Sequence, residues 1–408
     1  MSDQLKGSIS SLASESRLYP QEVLLKVRKD RHQLFIGIPK ESSEHEYRVS
    51  LTPKAVELLV ANGHNIIVQS GAGKGANFTD HQYSEAGAKI SADVEEVFSS
   101  DIVMKVKFPS LEELKKIKSG KTLISTIHLN DEFKERINLI NTKKITAIGY
   151  EYIEDKVGGL PIVRAMSEIA GCTAIPIASE YLSTTNKGMG VILGGITGVP
   201  PTKVVILGAG TVAEYAARAA VGFGADVKVF DPHIYKLRRL KHLLNRQIFT
   251  STIDHSSLQK ALKEADVVIG AVRAEKGLIH HIVSEEMVSQ MKKGAVILDV
   301  SIDEGGCFET SEPTNLRNPV FTKYDIIHYC VPNIAARVPR TASRALSNIL
   351  TPILLDVSQC GGINEIIFQH KWFMKGVYAY KGSLTNYYLS KKLGLKFKDL
   401  ALLMAARF

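Results

Sequence analysis

Four cysteines in 408 residues, Cys172, Cys307, Cys330 and Cys360, stand far apart, without a CxxC pair and without a His/Cys cluster. That spacing suggests neither a disulfide framework nor a zinc site and points to a reducing compartment. There is one tryptophan, and no apolar run of about 18 residues or more, the length a membrane helix needs. The N-terminal MSDQLKGSISSLASESRLYPQ has no positive stretch followed by an apolar one, as a secretory signal would. A cytoplasmic protein with no membrane partner is expected.

What is present is an ordinary globular composition, 45% hydrophobic and 23% charged, with 31 Gly. The length suffices for two domains at about 100–200 residues each. The formal charge of +9 is concentrated near the end: residues 371–408 hold eight Lys/Arg against a single Asp. The remainder is nearly balanced, so the basic segment reads as a solvated helical face and nucleic acid is not an expected partner.

Residues 1–33 read as an N-terminal extension, Ser-rich at first and interrupted by Pro20. From residue 34, strand-like and helix-like segments alternate: FIGIPK, the helix opened by Thr52-Pro53 and closed by Gly63, HNIIVQSG, a helix with capping-box spacing at Thr79 and Gln82, DIVMKVK, SLEELKKIKSG, KTLISTIH, a helix capped by Asn130, and ITAIGYEYI. Such alternation predicts a parallel sheet of five strands covered on both faces. A second series, TKVVIL, DVKVFD, DVVIGAV, AVILDVS and DIIHYCV with helices between them, predicts a second doubly wound domain. TASRALSNILTPILLDVS reads as a long helix that Pro352 should kink or interrupt. The fold class is α/β, with two doubly wound, Rossmann-like parallel sheets and a cleft between them.

VVILGAGTVAEYAARAAVGFGADVKVFD carries Gly208-x-Gly210-x-x-Ala213 between an apolar strand and a helix, with Asp231 ending the next strand. Gly208 permits the tight turn, Gly210 leaves room for a pyrophosphate and Ala213 lets helix and strand approach, while the helix N-terminus offers N–H groups to phosphate. Asp231 can accept hydrogen bonds from ribose hydroxyls and would repel a 2′-phosphate, so NAD is the cofactor favoured over NADP; Lys236 and the Arg238-Arg239 pair stand nearby and weigh the other way.

Ligands of open α/β sheets bind beyond the carboxyl ends of the strands. That rule selects Arg48, Lys107 and His128 in the first domain and Asp303, Glu304 and Asn333 in the second. Two cations would clamp a carboxylate, and a histidine can exchange a proton near neutral pH. Taken singly, Arg48 or Lys107 is an ordinary surface charge, His128 a hydrogen-bonded structural residue and Asp303 a helix cap. Their common topological position makes the group a candidate site for a small anionic substrate whose α-carbon reacts with a nicotinamide.

The segments IGIPKE…EYRVSLTP, VQSGAGKGANFTD, MKVKFP, MSEIAG, GVILGGITGVPPTKVVILGAGTVA and VSIDEGGCFETSEPT resemble alanine dehydrogenase, a family akin to the nucleotide-binding part of the proton-translocating transhydrogenase. The likeness covers nearly everything after residue 33. It implies a substrate domain split into residues 34–161 plus 340–408 around an NAD domain of residues 162–339, and a homo-oligomer, commonly a hexamer. It also implies that Arg48 and Lys107 hold the pyruvate or alanine carboxylate and carbonyl, that His128 and Asp303 handle protons, that Asn333 lies near the nicotinamide, and that Ser167 contacts the cofactor. The reaction implied is reversible oxidative deamination of L-alanine to pyruvate and ammonium.

Several residues depart from the family pattern. Phe108 stands where KVKEP would place Glu, RAEKGLIHH, from Arg273, replaces a Pro-Gly-Ala-Lys-Ala-Pro stretch, and Pro332 and Ile334 flank Asn333. Another small amino or imino acid as substrate, or a non-catalytic NAD(H)-binding subunit, are the other readings. Convergence of Lys107, His128 and Asp303 on one cavity beside the Gly208 turn would separate an enzyme from a silent binder.

Overall fold

A computed structural model describes residues 32–127, 133–272 and 281–405. His128, Asn130 and Arg273 therefore lie outside the described residues, as does most of the expected extension.

The first sheet contains β1 (Phe35–Ile38), β2 (Asn65–Gln69), β3 (Lys89–Ser91), β4 (Ile102–Met104), β5 (Thr122–Ser125), β6 (Thr146–Gly149), and, from the far end of the chain, β14 (Val377–Tyr380) and β15 (Ser383–Leu384). Their order is β15-β14-β6-β5-β4-β1-β2-β3. β1 to β6 are parallel, and β14 joins β6 antiparallel. The second sheet contains β7 (Lys203–Leu207), β8 (Asp226–Phe230), β9 (Phe249–Ser251), β10 (Val267–Gly270), β11 (Val296–Asp299), β12 (Val320–Lys323) and β13 (Ile326–Tyr329), in the order β12-β13-β11-β10-β7-β8-β9. Only β12 is antiparallel to its neighbour there.

In both sheets the strand order reverses beside the first strand, which opens a crevice at that point. The five-strand expectation for each domain was short of the observed eight and seven. The missed strands β3, β9 and β12 span only three or four residues, and β14 and β15 lie about 230 residues after β6. Neither a three-residue run nor a remote pairing leaves a periodic trace in the sequence.

Each sheet is covered on both faces, and side chains within one strand separate accordingly. Ile102 and Met104 of β4 enter one cluster while Val103 enters another; Val204 and Ile206 of β7 enter a third and Val205 and Leu207 a fourth. Each such residue contributes about 1.5–3 kcal/mol by leaving water. The helix Pro161–Leu182 joins the halves: Ile162 packs in the first core, and Ala170 through Leu182 serve the second. It lies close to the helix Thr211–Gly222, where a Cβ on Gly171 would meet the Val212 carbonyl oxygen at 2.4 Å.

The helix Pro339–Cys360 runs through Pro352, so of the expected kink or interruption the interruption does not occur. Proline costs a helix interior about 3 kcal/mol, but Leu346, Leu350, Leu354 and Val357 form one buried stripe against the first core, which outweighs that cost. The capping box Thr79–Gln82 is present as expected, and Ser110 with Glu113 forms another. Thr52 precedes its helix without capping it by its side chain; its amide and hydroxyl instead meet the Ser347 hydroxyl. The expected SEEMVSQMKKG helix is shorter, Glu285–Ser289.

Candidate active site

A cavity of about 990 Å³ lies between the two sheets, at the carboxyl ends of their parallel strands. The first half contributes Arg48 from the loop after β1, Lys107 beyond β4, Thr126 and Ile127 beyond β5, and Tyr150 and Glu151 beyond β6. The second contributes Gly210 and Thr211 beyond β7, Ala271 beyond β10, Ser301, Asp303 and Glu304 beyond β11, and Pro332 and Asn333 beyond β13. Ser167 lines it from the connecting helix. Seven expected residues, Arg48, Lys107, Ser167, Gly210, Asp303, Glu304 and Asn333, therefore share one cavity although they lie up to 285 positions apart. His128 lies outside the described residues; the residue before it, Ile127, lines the wall.

Arg48 is buried and is held from two residues upstream. Its Nε and Nη2 donate to the two carboxylate oxygens of Glu46 at 2.8 and 2.7 Å, and Nη1 lies 3.5 Å from Met166 Sδ. Burial works against the guanidinium's charge, but the hydrogen bonds it donates to Glu46, together with the charge of Glu46 and lesser contributions from Tyr150 and Glu41, outweigh it, and the group is held above its ordinary pKa. A bidentate pair fixes the plane of the fork, so Arg48 is a pre-set edge rather than a mobile cation. Lys107 has its backbone N–H near Glu41 Oε2, at 3.3 Å, while its ammonium forms no ion pair among the described residues. Among the described residues it is a cation at the cavity left without a counter-ion.

Beneath these lies an acidic layer. Burial pushes the Glu41 carboxyl up to about 7, against the pull of Lys105. The Glu41 carboxylate accepts from Val106 N at 2.6 Å, and Lys105 Nζ lies 3.5 Å from its other oxygen while pairing with Glu113 at 2.6 Å. Burial likewise pushes Glu151 to about 7; its Oε1 accepts the Ile127 N–H at 2.6 Å and its Oε2 has no hydrogen-bond partner among the described residues.

On the opposite wall, Asp303 sits in the turn Ile302–Glu304 rather than at a helix cap, and its Oδ2 accepts the Asn333 backbone N–H at 3.1 Å. Asn333 takes a left-handed conformation, φ +57°, in the turn that follows β13 and opens the short helix Ile334–Arg337.

The glycine turn has the expected form. Gly208 has φ +106°, and a Cβ there would meet the Ala271 carbonyl oxygen at 2.5 Å. An added Cβ on Gly210 meets nothing within 4 Å, so the space before the Thr211 helix is open. Ala213 is fully buried against the strand. Gly208, Ala213, Asp231 and Lys236 do not line the cavity. Asp231 is only 3% exposed: one carboxylate oxygen accepts Ala209 N at 2.7 Å and the other accepts His233 N at 2.7 Å. It braces the turn; the oxygen that accepts from His233 N also meets His233 Nδ1 at 3.2 Å, while the one that accepts from Ala209 N retains a lone pair for a further donor. Lys236 lies over the Tyr235 ring, and Arg239 donates to the Ala209 carbonyl at 3.1 Å.

Phe108, a departure from the family pattern, faces away from the cavity. It is buried against Phe133, with ring centroids 5.2 Å apart, and Tyr378. Pro332 does line the cavity. Sequence reasoning did not select Glu46, Glu41 or Glu151. The strand-end rule applied to β6 would have found Glu151, and the two-residue spacing of Glu46 from Arg48 on an extended segment would have placed both on one side. No group of metal-ligating side chains occurs among the described residues, and none of their helices is long and apolar enough to cross a membrane.

Comparison with known proteins gives a consistent assignment. Residues 37–170 match the family "Alanine dehydrogenase/PNT, N-terminal domain" and residues 174–387 match "Alanine dehydrogenase/PNT, C-terminal domain". The alanine dehydrogenase of Halomonas elongata is 36% identical over 370 residues, spanning 90% of this chain and 99% of that protein. That of Mycolicibacterium smegmatis is 37% identical, spanning 91% and 100%. A solved L-alanine dehydrogenase superposes with a TM-score of 0.83 at 34% identity, covering 87% of this chain and 98% of the other. A transhydrogenase from Sinorhizobium meliloti, at 21% identity and TM-score 0.74, covering 86% and 99%, shares the fold. With both family domains matched in order along the chain and a cavity enclosed between them, this protein belongs to the alanine dehydrogenase/PNT family.

Proposed function

We propose that the chain catalyses reversible, NAD-dependent oxidative deamination of L-alanine to pyruvate and ammonium. The observation that carries this reading is the meeting of Arg48 and Lys107 from one sheet with Asp303 from the other in a single cavity that also reaches Gly210. Two cations on one wall suit a small carboxylate. An acid on the facing wall suits proton transfer at the adjacent carbon and nitrogen.

The residues of the second half suit NAD. The open space at Gly210, the unpaired N–H groups of the Thr211 helix and the tight turn at Gly208 fit a pyrophosphate. Asp231, with a remaining lone pair on the oxygen that accepts from Ala209 N, fits a ribose with free hydroxyls better than one bearing a 2′-phosphate. When bound, NAD supplies the acceptor for the hydride that leaves the substrate α-carbon.

The chain's own work is to hold and to move protons. Lys107 and the open edge of Arg48 orient the carboxylate, and Asp303 and His128 hold the proton released when water adds to the iminium carbon. Ser167 and Asn333 border the cofactor end. The domain division 34–161 plus 340–408 and 162–339 belongs to this reading, since the Pro161 helix passes from one core to the other at that boundary. So do a cytoplasmic location, small-molecule partners and a homo-oligomer, hexameric as the family resemblance implies.

The test is NADH formation with L-alanine at alkaline pH and NADH loss with pyruvate plus ammonium, for wild type and His128→Ala. Turnover by wild type, lost in the variant while NADH still binds, supports the reading. Because iminium formation requires a neutral amine, the forward rate rises with pH. NADH binding without oxidation of alanine would direct attention to Pro332 and residues 273–280 and to other amino acids.

A further inference from the structure

Asp299 is the last residue of β11 and its side chain is 0% exposed, with no ion-pair partner among the described residues. Strand alternation sends Val296 and Leu298 to one core and Ile297 to the other, so Asp299 points to the face where Cys307 and Phe308 pack. A buried carboxylate without a cation is costly unless several donors surround it. Three do so: Ser301 N donates to Oδ1 at 3.1 Å, and Cys307 N and Ser311 Oγ donate to Oδ2 at 2.8 and 2.7 Å.

These donors lie on both sides of one loop. Between Ser301 and Cys307 are the turn Ile302–Glu304, which carries Asp303, and Gly305 and Gly306, both with positive φ. The carboxylate is also gripped by two positions that admit no side chain. A Cβ on Gly306 would come within 2.7 Å of Oδ2, and one on Gly270 within 3.1 Å of Oδ1. The loop is therefore tied at its two ends to a single buried anion, and its middle reaches across to Asn333 through the Asp303 carboxylate.

We infer that Asp299 is a positioning residue for the reaction: its carboxylate, clasping Ser301, Cys307 and Ser311, holds the loop that presents Asp303 to the cavity and to Asn333. The inference rests on the proposed part of Asp303. Asp299→Asn changes least in size yet replaces one acceptor by a donor. Whichever way the amide turns, its NH2 faces a backbone N–H, of Ser301 or of Cys307, and one end of the loop is released.

Two measurements on the full chain test it. In hydrogen–deuterium exchange, Asp299→Asn is expected to speed exchange about tenfold in peptides covering 300–307 and 331–335, with the β7 strand unchanged. In turnover, it is expected to lower kcat by about 10- to 100-fold with the NADH Kd within about twofold, since a small misplacement of a reacting group costs that much. The double variant Asp299→Asn/Asp303→Asn should be no slower than Asp303→Asn alone, because both changes remove the same function. Loss of folded protein alone would leave the two effects multiplicative.

Unchanged exchange in both peptides, or rate losses that multiply, overturns the inference. If wild type oxidises no amino acid, the proposed reaction fails, and the exchange result still decides whether Asp299 holds the loop. If Asp299→Asn does not fold, Ser311→Ala removes one of the three bonds, and a faster exchange of 300–307 of about threefold supports the assignment while none overturns it.

Discussion

Asp303 Oδ2 accepts the backbone N–H of Asn333 at 3.1 Å, joining the loop after β11 to the turn after β13. The bond uses one lone pair of one carboxylate oxygen and leaves the rest of the group available to the cavity it lines. It also fixes where the left-handed Asn333 stands, so one acid borders both the part of the cavity proposed for proton transfer and the part proposed for the cofactor.

Asp303→Asn keeps an oxygen for Asn333 but loses the charge and the capacity to take a proton. The expected result is a kcat lower by about 10²- to 10³-fold, with NADH affinity changed by less than about threefold. Steady-state rates and nicotinamide fluorescence separate the two. A variant with near wild-type kcat would remove Asp303 from the chemistry.

Two glycines two residues apart predict opposite failures. Gly208→Ala places a Cβ 2.5 Å from the Ala271 carbonyl oxygen on a φ of +106°, so the strain of about 1–3 kcal/mol and the clash together lower stability. Gly210→Ala sits at φ −80° with nothing within 4 Å, so stability should change by less than about 0.5 kcal/mol, while the NADH Kd rises at least about tenfold. Urea denaturation and a binding titration on both variants check this. Equal effects on both measurements would show that the open space at Gly210 is not used by the nucleotide.

Glu46→Gln removes the anion that holds one edge of the Arg48 guanidinium through Nε and Nη2. Leaving a buried guanidinium without its partner costs about 3–5 kcal/mol. The midpoint of denaturation should fall accordingly, and the KM for alanine should rise as the guanidinium loses its fixed plane. An unchanged midpoint would mean that water or a rearranged acid replaces Glu46.

Burial raises Glu151 from an ordinary 4.5 to about 7. The folded state therefore binds its proton more tightly than the unfolded state. The stabilisation from that proton is complete below 4.5 and is lost as pH rises through 7, a span of up to about 3 kcal/mol. Glu151→Gln does not titrate, so its stability relative to wild type should improve from pH 5 to about pH 7 and level off above about pH 8, whatever its absolute level. A constant difference across that range would place Glu151 in a less buried setting.

The alternation of strands and helices, the Gly208–Gly210–Ala213 turn and the strand-end positions of Arg48, Lys107, Asp303 and Asn333 were legible because each depends on short-range geometry. A tight turn needs glycine locally, and a sheet's ligands gather where its strands end. The capping box Thr79–Gln82 was legible for the same reason. Phe108 was misleading in the other direction, since its place in the sequence lies beside Lys107 while its ring packs into the core.

The sequence by itself determined two doubly wound halves, the nucleotide turn and the identity of the charged groups near the cleft, since local propensity and hydrophobic period set these. Only the tertiary structure decided that Pro352 stays inside an unbroken helix, that β14 and β15 extend the first sheet, that Glu46 and Asp299 are buried acids, and that Glu151 stands half-buried in the cavity wall. These depend on which surfaces meet after the chain has closed on itself. A carboxyl's solvation and partners are set by residues remote in sequence, and no local pattern records them.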